Sequence, residues 1–388
     1  MNPDEFTKPS GKLLRVGQGE TAYRAFAPDP LPPPMDWDLA LARELSKADR
    51  ALGELAGLGR TIPNPHLLIQ PFLKREAVLS SRIEGTQTDI TDLYLHEAGQ
   101  PPLPGMKTPP PESDVREVLN YVRALEYGLQ RMNKLPVSLR LIREVHERLM
   151  KGVRGGQVTP GEFRTRQNWI GTPNCTLNQA SFVPPTVEEM HVALGALEKY
   201  LHNDDQTPPL ARLAFIHYQF EAIHPFIDGN GRIGRLLIIL LLVHWNLLPL
   251  PLLYLSVYFE RNRSQYYDLL MAVSQRSAWR EWLVFFLRGV MEQAQDAVAR
   301  AKQLQDLQVA WRHILQKERS TRLMLSTVDL LFEQPYFPPT YLAKRLKITH
   351  QAAMKTLNRL EALNIVNELT GRNRNRLYCA LEIMRIVE

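Results

Sequence analysis

Residues 224–235 read HPFIDGNGRIGR. A histidine, an aspartate, two glycines around an asparagine and two arginines fall within twelve positions. Upstream, LARLAFIHYQFEAI (210–223) is helical text. Pro225 disfavours the α region for His224, so that helix should end there. Beyond Gly231, RIGRLLIILLLV reads as helix again. The stretch between is a tight loop that feeds a helix N-terminus. Two apolar helices joined by such a loop set the expectation of a mainly α fold.

The loop carries the parts of phosphoryl or nucleotidyl transfer. Successive backbone N–H groups at a helix start form an anion nest, and the helix dipole adds positive charge. Gly229 and Gly231 let the backbone approach a phosphate closely. Arg232 and Arg235 are three apart and are expected to share one helix face, where guanidinium groups hold further phosphates. Asp228 is a hard oxygen ligand suited to Mg²⁺ between phosphates. His224 has the unperturbed pKa, about 6.5, of a base that takes a proton from a hydroxyl. Phe226 is expected to anchor the loop in the core. Singly, each feature has an ordinary explanation as a turn, a packed histidine or a solvated arginine; their conjunction points to function.

The rest of the 388-residue chain is ordinary in composition, with a net charge of +6 and two cysteines, Cys175 and Cys379. Two distant cysteines make neither a disulfide framework nor a zinc quartet, so a reducing cytoplasm fits. The start lacks a signal-peptide pattern. The apolar run at 236–255 is broken by His244, Asn246, Pro249 and Pro251, so no membrane span is expected. Residues 1–34 read as an extended lead-in. A helical region over 35–112 follows, with one helix from Met35 and a second from about Pro65 to Ile83. GQPPLPGMKTPPPES (99–113) is a proline-rich linker. The central domain is placed at 113–290, with loops and a small β-hairpin over 161–186 and helices at Val187–His202 and Pro209–Ile223. Residues 291–324 read as a polar helical linker. Over 325–388, two short helices, capped by Thr340 and Thr349, and a hairpin around TGRNRN give the outline of a winged helix.

HPFIDGNGRIGR resembles the full signature of Fic-domain proteins. GEFRTRQNWIG, FVPPT, YLSVYFERNRSQYYDLL and WREWLVFFL resemble further Fic segments, so the likeness covers about 35–290. It implies a helical fold and, for many members, transfer of AMP from ATP to a Ser, Thr or Tyr hydroxyl of a protein. On that likeness His224 is the base and Asp228 holds Mg²⁺. Gly229, Asn230, Gly231 and Arg232 line the anion cradle, Gly234 belongs to the nucleotide site, and Arg235 meets the γ-phosphate. Tyr266 and Tyr267 are adenine-side candidates, with helix packing as the alternative. Ser181, Phe182, Val183 and Pro184 form a flap whose strand edge holds a target peptide.

SSRIEG (80–85) resembles the inhibitory motif of one Fic class, with Ser80, Glu84 and Gly85 in the matching places. The likeness implies that Glu84 pairs with Arg235, takes the γ-phosphate's place and holds the enzyme inactive. Three readings stay open at this point: an autoinhibited adenylyltransferase, a relative with another donor, and a DNA-binding regulator that senses nucleotide without transfer. The partners implied are a hydroxyl-bearing protein or the chain itself, and a homodimer. Lys355, Arg359, Arg372, Arg374 and Arg376 could meet DNA phosphates, but Glu361, Glu368 and Glu382 dilute that charge, which leaves protein docking as the rival role. His146 lacks a second histidine at metalloprotease spacing, and His217 reads as a packed residue.

Overall fold

The computed structural model describes all residues except 20–21, 62–65, 100–109, 154–158, 173–174, 204, 319–320, 373 and 388. The chain is mainly α, as the alternation of apolar helices and polar loops requires. In order, the helices are α1 (Leu39–Thr61), α2 (His66–Ile83), α3 (Ile90–Glu97), α4 (Glu112–Arg131), α5 (Leu139–Leu149), α6 (Val187–His202) and α7 (Pro209–Ile223). Then come α8 (Asn230–His244), α9 (Ser256–Arg261), α10 (Arg263–Arg276), α11 (Trp279–Lys317), α12 (Arg322–Glu333), α13 (Pro339–Leu346), α14 (His350–Ala362) and α15 (Leu381–Val387).

Helix α5 shows why these segments are helical. Leu141, Ile142, Val145 and Leu149 fall on one stripe and are all buried. Helices α7 and α8 differ: nearly every side is apolar, so they occupy the centre, with Phe215, Phe220, Leu237 and Leu241 enclosed. Around this pair pack α2, α4, α5, α6, α10 and α11. Helix α2 also packs against α12 and α15, with Lys74 Nζ donating to Gln334 Oε1 at 3.0 Å.

Several expectations change here. The residues read as a lead-in contain an antiparallel hairpin, β1 (Gly11–Val16) with β2 (Tyr23–Pro28), in register Leu13↔Phe26. The proline-rich linker lies largely outside the described residues. Before it stands α3, capped reciprocally by Asp89 and Asp92, which the sequence reading did not assign. The polar linker is the second half of one 39-residue helix, α11. Among the described residues, the expected hairpin over 161–186 is a single bridge, Ile170 with Phe182.

At the C-terminus a three-stranded sheet runs β3 (Tyr336–Phe337), β5 (Tyr378–Cys379), β4 (Asn367–Glu368), with both pairs antiparallel. Thr349 caps α14, accepting from the Ala352 amide at 3.2 Å. Thr340 does not cap α13. The N-cap is Pro338, in extended backbone, and Pro339 takes the first helical position, where a missing N–H costs nothing. Among the described residues no helix is long and apolar enough to cross a membrane.

Candidate active site

The 224–235 loop is fixed before any ligand arrives. Helix α7 stops at Ile223, where Pro225 disfavours a further helical residue, and His224 caps it in left-handed backbone, φ 49°, its amide donating to the Phe220 carbonyl. Gly229, φ 80°, turns the chain into α8, and its Cα faces Met150 and His146 too closely for a side chain. Asn230 staples the loop to itself: its Oδ1 accepts from the Phe226 amide and its Nδ2 donates to the Phe226 carbonyl, both at 2.8 Å. Its side chain is therefore spent on the loop, and only its backbone is left for an anion.

Three residues that the sequence reading did not assign to the site hold the loop from outside. Arg164, fully buried, donates from Nε to the His224 carbonyl at 3.1 Å and from its guanidinium to Pro185 at 2.6 Å. Asn168 Nδ2 donates to the carbonyls of Phe226, 2.8 Å, and His224, 3.2 Å. The His146 ring stacks on Phe226 with centroids 3.7 Å apart. His146 Nδ1 accepts from the Gly161 amide at 2.9 Å, so Nε2 carries the hydrogen and donates to the Asp228 carbonyl at 3.0 Å. Burial lowers the His146 pKa to about 4, which keeps that tautomer neutral. The only signal for these roles was their place in polar, proline-flanked text.

A cleft of about 670 Å³ opens beside the loop. His224, Gly231, Arg235, Glu84, Tyr266 and Tyr267 line it together with Ser181 and Phe182. Trp169 and Ile170, both more than two-fifths exposed, form its outer lip. Burial lowers the His224 pKa to about 4, against weaker support from its contact with the Glu221 carbonyl. The imidazole is thus neutral at pH 7 and has a lone pair to accept a proton. The first-turn amides of α8 have no intrahelical acceptors and carry the dipole's positive end.

Arg232 and Arg235 do not act as a pair. Arg232 turns to Glu117, 2.9 Å, with Asp228 at 3.5 Å, and does not line the cleft. Arg235 is 2% exposed and enters the cleft. Its Nε donates to Ser80 Oγ at 2.9 Å, and its terminal nitrogen donates to the Ser80 carbonyl at 2.8 Å and Glu84 Oε1 at 2.6 Å. Three residues apart on a helix leaves the two side chains on neighbouring faces, and Glu117 of α4 and the Ser80–Glu84 segment draw the two guanidinium groups to different partners. Gly85, φ 104°, ends α2 and leaves Glu84 at its tip. Burial would raise the Glu84 pKa, but the Arg235 guanidinium outweighs it, and the net shift is downward. A Cβ on Gly231 would run into the Glu84 carboxylate.

The remaining assignments divide. Tyr266 is a core residue: it is buried, stacks on Phe259 and bonds His217 Nε2 at 2.8 Å. Tyr267 is 42% exposed and forms a wall of the cleft. His217 is packed among aromatic rings, and burial lowers its pKa to about 3. Val183 and Pro184 are buried rather than offered to a partner. The Val183 carbonyl accepts from the Phe26 amide of β2 at 2.9 Å, so the N-terminal hairpin occupies that edge. Asp228 does not line the cleft; its side chain is 51% exposed and its Oδ1 accepts from the Gly229 amide. No group of three or more His, Cys, Asp or Glu among the described residues could hold a metal alone.

Comparison with known proteins identifies the family and the fold. The model described as Fic/DOC family, N-terminal, matches residues 42–130, and that described as Fic/DOC family matches 136–242. The chain belongs to the Fic/DOC family. It is 30% identical to a protein named protein adenylyltransferase Fic from Drosophila persimilis, and 31% identical to its namesake from Drosophila grimshawi. Each match spans 165 residues, 41% of this chain and 28% or 30% of the relative. The chain thus spans less than a third of those Fic proteins. A Fic family protein from Desulfovibrio desulfuricans G20 shares the fold, with TM-score 0.59 and 18% identity over 90% of this chain and 98% of its own. A Fic-domain signalling protein from Bacteroides thetaiotaomicron VPI-5482 does so with TM-score 0.52 and 19% identity, over 66% and 95%.

Proposed function

We propose that this protein is an autoinhibited protein adenylyltransferase. The observation that carries the reading is the Glu84–Arg235 contact at 2.6 Å inside the cleft that also presents His224. Arg235 is the cation that a terminal phosphate would need, and a carboxylate already holds it. That pairing explains both the affinity of the site for anions and its closed state.

In the open state, ATP lies along the α8 N-terminus, with its phosphates against the first-turn amides and Arg235. Neutral His224 removes the proton from a Ser, Thr or Tyr hydroxyl of the target, which attacks the α-phosphate as pyrophosphate leaves. Asp228, with a half-exposed carboxylate, would hold a nucleotide-bound Mg²⁺ as a hard oxygen ligand. Such an ion neutralises charge on the phosphates. Tyr267, Trp169 and Ile170 supply apolar walls for the base and the target. Ser81, Arg82 and Ile83 join Ser80 to Glu84, so freeing Arg235 requires only that the tip of α2 unwind.

The test is the intact mass of the chain and of a candidate target after incubation with Mg²⁺ and ATP. The Glu84→Gly chain is expected to add AMP at least about tenfold faster than the native chain, since freeing a paired buried cation for its ligand is worth more than about 1.4 kcal/mol. No gain of labelling in that variant would sink the autoinhibition reading.

A further inference from the structure

Glu221 has no part in the chemistry above. It lies on α7, one turn before His224, and lines the same cleft. Its Oε1 is shut away from solvent and has no hydrogen-bond partner. Native folds seldom leave a buried polar atom unpaired without a use. That oxygen rests on the bare Cα of Gly234, where any β-carbon would run into it. The glycine and the acid therefore fit one another, which a solvated carboxylate would not need.

The ionisable groups around it are Glu84 from α2, Arg235 from α8, Tyr266 and Tyr267 from α10, and His217 and His224 from its own helix. None supplies a partner. Arg235 is spent on Ser80 and Glu84, and the Tyr266 hydroxyl on His217. Burial pushes the Glu221 pKa up; Arg235 pulls it back, Glu84 adds to the rise, and it stands at about 8. At neutral pH the side chain is a carboxylic acid with one hydrogen to give. An ionised carboxylate beside Arg235 would repel a triphosphate, whereas a neutral acid can bond to it.

We propose that Glu221 is a nucleotide-contacting residue that works as a neutral acid, donating its carboxyl hydrogen to a phosphate oxygen held at Arg235. The proposal rests on the reading that a nucleotide triphosphate occupies this cleft. It makes the nucleotide site a two-donor clamp, one donor charged and the other not.

Titration calorimetry on the full chain with Glu84→Gly, carrying Glu221, Glu221→Gln or Glu221→Ala, tests it with Mg²⁺-ATP at pH 7.5 and 9. At pH 7.5 the alanine variant is expected to bind about tenfold more weakly, the loss of one good hydrogen bond to a charged group. The glutamine variant, which still donates, is expected to stay within about threefold. Raising the pH to 9 should weaken the Glu221 chain several-fold, because burial still raises its pKa once Glu84 is gone while pH 9 ionises it, and should leave the glutamine chain unchanged. Inorganic tripolyphosphate should reproduce this order. If tripolyphosphate ignores Glu221 while ATP senses it, the phosphate contact is overturned. Native affinity in the alanine variant, or an unaltered pH response in the glutamine variant, also overturns the proposal. Thermal melts verify folding; should alanine not fold, the glutamine pH response decides. Absence of any ATP binding by the Glu84→Gly chain overturns both the adenylyltransferase reading and this one, whereas binding that ignores Glu221 overturns only this one.

Discussion

Arg235 and Arg374 carry the same charge in unlike settings. Arg235 is enclosed and its guanidinium bonds to Ser80 and Glu84 from another helix. Arg374 lies in the exposed turn between β4 and β5, beside exposed Arg372. On α14, Arg359 reaches Glu318 at 2.6 Å, but both side chains are more than two-fifths exposed. A cation in water costs little to keep and gains little from a partner. A buried cation must be paired, and removing one partner is costly. The partner of Arg235 is therefore part of what holds the buried guanidinium in place, whereas the exposed cations of the C-terminal turn are expected to vary with little effect on the fold.

The difference between the two regions can be broken in four places. The largest effect should come from His224. In the Glu84→Gly chain, His224→Ala is expected to reduce AMP transfer by about 10²–10⁴-fold, the usual worth of a positioned base. Because burial lowers the His224 pKa to about 4, the neutral form is present above that pH. The transfer rate should thus hold as pH falls through 6.5 and drop only as it approaches 4, which a pH–rate profile would reveal; a limb at 6.5 would show the imidazole to be solvated instead.

Arg235→Ala comes next. It strands Glu84 and removes the anchor of Ser80, and should lower stability by about 3 kcal/mol, the low end for a buried pair because Glu84 reaches water. Urea denaturation measures that loss, and an unchanged midpoint would place Arg235 with the exposed cations. Asn168→Ala removes one of the two donors to each of the His224 and Phe226 carbonyls, which keep Arg164 and Asn230, and should cost about 1 kcal/mol, read by the same denaturation curve. The smallest effect belongs to Arg372→Ala with Arg374→Ala. Stability should move by no more than about 0.5 kcal/mol and AMP transfer should not change. A salt-dependent shift of a DNA duplex by the native chain, lost in this double variant, would give the turn a role of its own and narrow the contrast.

Much of the site could be read in the sequence, because its chemistry is written in adjacent letters. The end of α7 at Pro225, the start of α8 after Gly229 and the inward turn of Phe226 follow from local rules. The supports could not be read that way. Arg164, Asn168 and His146 reach the loop from 56 to 82 residues away, and local text, even the family-like GEFRTRQNWIG, does not reveal that they bond to it. Arg232 and Arg235 show the same limit from the other side. Their spacing suggested one shared face, but Glu117 and Ser80, on separate helices, draw them apart. The N-terminal hairpin escaped notice because its strands are short and partly exposed, and its packing against Val183 depends on a neighbour distant in the chain.

By itself the sequence determined the helical class and the tight turn between α7 and α8 that carries His224, since helix ends and backbone turns obey the residues within a few positions. Tertiary structure alone decided which guanidinium faces the cleft and which histidines and carboxyl groups are shifted by burial. Those properties depend on burial and on charges brought in from other helices, and the energy of a charge is set by its surroundings rather than by its place in the chain.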